Sequence, residues 1–233
     1  PVNMDQEEVA LRFQKYNLIS AAVINDDGRL IGMITVDDIL HIVEDEASED
    51  VLLLSGAGDG DINEPIRNSY IARVRWLIAN LATALVASFV IAIFGAAIEQ
   101  MVALAVLMPI VASIGGNAGT QTMAVNELTR SNTRRIIGRE FRIALLNGAT
   151  IAVLVGLGTR LVFANPMLGG VIAVAMLINI VIAGFAGIFV PVMLDRLDQD
   201  PALASSVFVT MITDTMGFLA FLGLAVGSGM VSL

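Results

Sequence analysis

The sequence predicts an α-helical integral membrane protein with five transmembrane helices and a small α+β fragment ahead of them. Three observations lead there. Of the 233 residues, 56% are hydrophobic and the mean hydropathy is +0.80, whereas soluble domains are roughly 45–50% apolar even with glycine counted. Five apolar stretches, at about residues 76–98, 101–125, 143–163, 167–194 and 201–226, are each long enough for a spanning helix, which needs roughly 18 residues or more. Charge is segregated as well: residues 1–64 carry 15 acidic and 3 basic side chains, residues 65–233 carry 7 and 10.

Residues 5–16 read as a helix. Val9, Leu11, Phe13 and Tyr16 interleave with charged positions, and Asp5 is a suitable cap. Ala21-Ala22-Val23-Ile24 is a short strand, and Asn25-Asp26-Asp27-Gly28 is a turn of residues that tolerate positive φ. Leu30-Ile31-Gly32-Met33-Ile34 supplies the second strand of a hairpin. Thr35 then caps a helix that starts at Val36. Helix, strand, Asp-Gly turn, strand and the run Gly32-Met33-Ile34-Thr35-Val36-Asp37-Asp38-Ile39-Leu40 are similar to the C-terminal part of a CBS domain. Such modules usually occur in pairs and sense nucleotides or ions. The pattern fills residues 1–43, too few for one complete module, so the expectation is a sensor truncated or absent upstream. Alone, the fragment can bury little of its surface.

Residues 44–70 form the connection. Glu44 to Asp50 is an acidic run of helical propensity, which in isolation reads equally as a solvated linker helix. Gly56, Gly58 and Gly60 make the following stretch flexible. Residues 71–233 hold the five spans. Almost no loop separates the first two, which predicts a tight helical hairpin. Arg67, Arg73 and Arg75 precede the first span, and Arg130, Arg134, Arg135, Arg139 and Arg142 lie between the second and third. Arg196 follows the fourth, while the opposite side has only Arg160. Arginine excess marks the cytoplasmic side. The expectation is a multi-pass protein of the cell (inner) membrane, N-terminus cytoplasmic and C-terminus extracytoplasmic.

Two places bring polar groups into the bilayer. In the second span, Pro109 removes a backbone donor, and Ser113-Ile114-Gly115-Gly116-Asn117-Ala118-Gly119-Thr120-Gln121-Thr122 follows. Glycines weaken a helix by about 1 kcal/mol each relative to alanine, so this span is expected to be interrupted. Freed backbone groups at membrane depth belong in protein or along a water-filled cavity. A cluster of neutral oxygens there suits a hard cation or its hydration water; close helix packing through small residues is the competing reading.

The fifth span carries Asp214 near its middle. An ionised carboxylate there costs about 2.5–3.5 kcal/mol even on the lenient insertion scale. A cation, a basic partner, a proton or water must offset it. Ser206, Thr210, Thr213 and Gly217 lie three or four positions apart and suggest a polar stripe around the carboxylate, like one wall of a hydrated path. The ion-pair reading would need Arg142 or Arg160, both near span ends, and a protonated aspartic acid shared between helices is a further alternative. Asn147 and Asn179 read as interhelical hydrogen bonders. Asp200 precedes the fifth span, where capping alone accounts for it; it lies nearly four turns from Asp214, roughly 21 Å along the helix axis.

Composition disfavours other classes. There is no cysteine, and the single histidine is His41, so thiolate sites and His-rich zinc or haem sites are out of reach. An acidic soluble part disfavours nucleic acid. No metalloprotease or phosphate-loop motif occurs, which argues against an intramembrane enzyme and against nucleotide-driven pumping.

Together these motifs resemble the MgtE magnesium channels, relatives of the eukaryotic solute carrier 41 transporters. The resemblance rests on Thr35-Val36-Asp37-Asp38, the acidic Glu46-Ala47-Ser48-Glu49-Asp50, Ala72-Arg73-Val74-Arg75-Trp76-Leu77, and Pro109 through Gly115-Gly116-Asn117-Ala118-Gly119-Thr120-Gln121. It continues in Asp200-Pro201-Ala202-Leu203 and Thr213-Asp214-Thr215-Met216-Gly217.

The resemblance implies a homodimer with its pore on the two-fold axis. Asp214 would bind Mg²⁺ in the pore, Asp200 would stand at the cytoplasmic mouth, and Asn117 would line the path with Gly116, Thr210 and Thr213. It also implies a plug helix that closes when Mg²⁺ bridges acidic groups; the matching positions are Asp38, Glu46, Glu49 and Asp50. A complete CBS pair would add nucleotide binding. With most of the sensor missing, closure is expected to be incomplete, and Ser206 marks a departure that bears on selectivity. Mg²⁺ keeps several waters and binds through one or two carboxylates, which two Asp214 side chains across an axis would supply. The implied function is passive, Mg²⁺-selective uptake gated by cytoplasmic Mg²⁺. The alternatives are a proton- or ion-coupled secondary transporter of another divalent cation, with Asp214 as proton carrier, and a receptor that binds Mg²⁺ without passing it.

Overall fold

A computed structural model describes residues 1–54, 65–127, 133–197 and 201–233, with the side chains of 49–54, 126–127, 133–136, 195 and 201–205 left aside. The chain divides into two compact units, Pro1–Ala72 and Arg73–Leu233.

The first unit contains α1 (Gln6–Tyr16), β1 (Ser20–Ile24), β2 (Leu30–Thr35) and α2 (Val36–Leu54). Asp5 caps α1 by accepting the Glu7 N–H at 2.9 Å, and Asn17 ends it in the left-handed region. The strands pair antiparallel. Their turn is fixed by Gly28 at φ 76° and by the Asn25 side chain, which accepts the Arg29 N–H at 2.8 Å. Phe13 and Ile39 form its small core, whereas Ile19, Leu30, Met33 and Leu40 remain exposed. Between α1 and α2 lies a cleft of about 640 Å³. The fragment thus carries more apolar surface than its own elements cover.

Among the described residues, five helices are long and apolar enough to cross a membrane: α3 (Ile66–Ile93), α5 (Val102–Glu127), α6 (Thr133–Phe163), α7 (Pro166–Arg196) and α8 (Pro201–Gly227). The short α4 (Gly95–Gln100) makes the hairpin between α3 and α5. At its end the Gln100 amide holds the C-terminal segment, donating to the Ser232 carbonyl at 2.9 Å and accepting the Ser232 N–H at 3.0 Å.

α7 is the scaffold of the second unit. It packs on α5, α6 and α8, and Ile172, Ala175, Met176, Asn179 and Ala183 are fully buried. Lipid offers no hydrophobic drive between helices, so close contact between small residues has to supply the attraction. A Cβ on Gly169 would come within 2.6 Å of the Gly156 carbonyl, and one on Gly187 within 2.6 Å of the Gly119 carbonyl.

The expected interruption of the second span does not occur: α5 is one helix through Pro109 and the glycines. Tertiary packing overrides propensity here. Gly115 and Gly119 face α7 and α8 at distances that only glycine permits, and the Val111 carbonyl accepts a side-chain hydrogen bond from Asn179.

Candidate functional site

Contacts between α5, α7 and α8 set the depth of the candidate residues. Gly115 on α5 and Gly217 on α8 both close on the Asn179 amide of α7. One turn further along α5, a Cβ on Gly119 would lie 2.5 Å from a Val209 methyl and 3.6 Å from the Thr213 methyl. Residues 115 and 119 therefore stand level with 217 and with 209–213, and the two helices run antiparallel. Asn117 and Asp214 fall between these contacts, at the same depth.

They also fall on unpacked surface. Asn117 is two residues from both Gly115 and Gly119, which turns it about 200° away from the packed side of α5. Ser113, Asn117, Thr120 and Gln121 are exposed and Gly116 is half-buried, with nothing within 4 Å of where its Cβ would be. On α8, Thr210 is exposed, and Ser206 and Asp214 are half-buried. Among the described residues Asp214 has no ion-pair partner. Among the described residues, no cluster of three or more acidic or histidine side chains forms. A cation at Asp214 would have one carboxylate from this chain, neutral oxygens nearby, and water.

Thr213 and Gly217 lie elsewhere than the stripe suggested. Thr213 is fully buried and its hydroxyl donates to the Thr210 carbonyl at 3.0 Å. Gly217 is buried beneath Asn179. Both serve the packing of α8 on its neighbours, and the open polar stripe is Ser206, Thr210 and Asp214. Asn179 is the interhelical hydrogen bonder expected of it, donating to the Val111 carbonyl at 2.9 Å. Asn147 instead borders a cavity between α5, α6 and α7.

Asp200 lies outside the described residues, as do the side chains of Glu49 and Asp50. In the first unit, Asp38 accepts both the Thr35 N–H (2.9 Å) and the Thr35 hydroxyl (2.8 Å), which ties the residue before α2 to its first turn. These bonds, the backbone one first, hold its carboxyl below the usual aspartate range. Glu46 accepts from the Gln6 amide at 2.6 Å, tying α2 to α1. The structure thus gives Asp38 and Glu46 local partners of their own.

Glu140 was not singled out in the sequence, and Arg139 only as one of the arginines that mark a membrane side. Glu140 is 4% exposed, on an α6 that begins ten residues before the apolar stretch it contains. Its signal was the acidic letter just ahead of that stretch.

Comparison with known proteins bears on the whole arrangement. Residues 108–224 match the family model MgtE, described as a divalent cation transporter. Residues 1–45 match the model of a CBS domain. The magnesium transporter MgtE of Bacillus subtilis is 35% identical over 231 residues, covering 95% of this chain and 51% of that protein. The proteins of the same name from Thermus thermophilus and Enterococcus faecalis are each 33% identical, over 234 and 235 residues, covering 95% and 96% of this chain. The chain spans about half the length of the curated relatives it matches.

Proposed function

Because the chain belongs to the MgtE family of divalent cation transporters, we propose that it conducts Mg²⁺ passively and selectively across the membrane as a homodimer. One observation carries this reading: Asp214, near mid-helix in a spanning segment, has no basic partner among the described residues and sits on the open side of α8, level with Asn117 on the open side of α5. A carboxylate so placed needs a counter-charge. A second copy facing this surface across a two-fold axis would close the path and bring two Asp214 carboxylates to one ion.

Mg²⁺ is the substrate. It would pass largely hydrated, because release requires that binding stay weak enough to leave. Asn117, Thr210 and Ser206 would contact its water shell, while the half-buried Gly116 keeps the wall low. Asp200 would stand at the inner mouth. The arginine excess on one side of the spans supports a cytoplasmic N-terminal unit. There Asp38, Glu46, Glu49 and Asp50 would join α2 to the control of the pore by cytoplasmic Mg²⁺, and a complete CBS pair would add a nucleotide site.

The test is Mg²⁺ entry into proteoliposomes carrying this chain. Asp214→Ala is expected to abolish entry while the protein still inserts, and normal entry through that variant would sink the assignment. Entry that required an imposed pH gradient would instead favour coupled secondary transport with Asp214 as proton carrier.

A further inference from the structure

Glu140 presents a different problem from Asp214. It sits three residues inside the span Ile137–Phe163, yet it is only 4% exposed. Its carboxylate accepts from the neighbouring Arg139 guanidinium at 2.7 Å. A buried carboxylate must stay balanced, but Arg139 is a loosely held counter-ion, since 64% of its side chain is exposed.

Both residues border the cavity of about 160 Å³ between α5, α6 and α7. Gln121 and Thr122 enter it from α5 and Asn147 from α6. On α5 the lining positions are 118, 121, 122 and 125; on α6 they include 140, 143, 144 and 147. Each set follows the three-and-four spacing of a single helix face, so two faces converge on one space. That space has room for several waters. It is too small for an organic ligand, whose pockets run to roughly 300–1,000 Å³. One carboxylate, one hydroxyl and two amide oxygens are the donor set of a hard, partly hydrated cation. Gln121 lies one turn beyond Asn117, so the cavity adjoins the open side of α5 but draws its charge from α6.

We propose that Glu140 has two alternative counter-ions: Arg139, as paired in the structure, and a hydrated divalent cation held in this cavity by Glu140, Gln121, Thr122 and Asn147. The site is separate from Asp214, and its occupancy does not depend on the transport reading. When the cation enters, Arg139 turns out to water; when Arg139 returns, the cation is released.

The experiment is anomalous diffraction at the manganese edge from the full chain crystallised with millimolar Mn²⁺, in wild type, Glu140→Gln, Arg139→Gln and Asp214→Asn. A peak within water-mediated reach of Glu140 is expected in wild type and in Asp214→Asn, and its absence in Glu140→Gln. Removing the competing charge in Arg139→Gln should raise Mn²⁺ affinity at this peak on the order of tenfold, read from occupancy across an Mn²⁺ series. An empty cavity in wild-type crystals overturns the proposal, as does a peak that survives Glu140→Gln. Should Glu140→Gln fail to fold, the exposed Arg139 substitution still decides: unchanged or lower occupancy refutes counter-ion exchange.

Discussion

Gly115 and Asn179 share one small volume: a Cβ at position 115 would overlap the Asn179 side-chain nitrogen. From the opposite helix, a Cβ at position 217 would lie 2.7 Å from that nitrogen and 3.0 Å from the amide oxygen. Asn179 is fully buried; its nitrogen donates to the Val111 carbonyl, and its oxygen has no hydrogen-bond partner among the described residues. The glycines of the two signature motifs therefore make room for one amide that joins α5, α7 and α8. Gly115→Ala and Gly217→Ala are each expected to destabilise by about 1–3 kcal/mol, the usual range for overpacking. Asn179→Ala empties the shared volume, so the Gly115→Ala/Asn179→Ala double variant should cost less than the sum of its parts. Thermal unfolding in detergent measures this, and strict additivity would show that the two residues do not compete for space.

The spans were legible because hydropathy alone marks them; the first begins near 76 by composition and α3 begins at Ile66. Hydropathy reports where lipid starts, whereas a helix continues for as long as its backbone bonds are made. The same difference at α6, which starts at Thr133, left Glu140 looking like a loop residue. The glycines of the second span were legible as breakers but not as contacts, since their partners on α7 and α8 lie more than sixty residues away in the chain. Thr213 was assigned to the stripe by period, but a helix packed on two neighbours shows a narrower open face than spacing suggests. Its full burial and its contact with Gly119 reveal that Thr213 points inward.

Gly116 and Thr213 separate stability from transport in opposite directions. Gly116→Ala meets nothing within 4 Å and lies inside a continuous helix, so it should not destabilise the protein and should gain up to about 1 kcal/mol from helix propensity. Its methyl would narrow the proposed path, and Mg²⁺ entry should fall. Thr213→Leu should lower stability by about 1–3 kcal/mol through overpacking. Thr210→Ala, on the open side, should leave stability nearly unchanged while lowering entry. Proteoliposome flux and thermal unfolding on the same three preparations check the pattern; a destabilised Gly116→Ala would place another group against that surface.

Asp214 should also couple stability to Mg²⁺. A ligand that binds only the folded state stabilises it by RT ln(1 + [L]/Kd), about 2.7 kcal/mol at a hundredfold excess over Kd. Chelating Mg²⁺ from wild type is expected to lower the unfolding temperature by more than in Asp214→Asn, because in the proposed homodimer that variant lacks both Asp214 carboxylates. Without Mg²⁺, Asp214→Asn should be at least as stable as wild type, since it removes a half-buried charge with no basic partner among the described residues. Equal Mg²⁺ dependence in both proteins would detach the ion from this carboxylate.

Asp38 gives a pH dependence of known sign. Its carboxylate accepts the backbone N–H and the hydroxyl of Thr35, and both bonds favour the charged form. Its folded pKa therefore lies below the ordinary aspartate value of 3.8. A depressed pKa contributes stability that is fully present above the unfolded value and is lost as pH falls through the folded one. The cap at the start of α2 should hold at neutral pH and weaken only in acid below 3.8. Carbon-detected titration of the Asp38 carboxyl should show its midpoint below that value. Thr35→Ala should return only part of the shift, because the larger contribution comes from the backbone N–H, which the substitution leaves in place. Asp38→Asn should then cost more stability at pH 7 than at pH 3, and an equal cost at both would mean that the cap is held by shape rather than by charge.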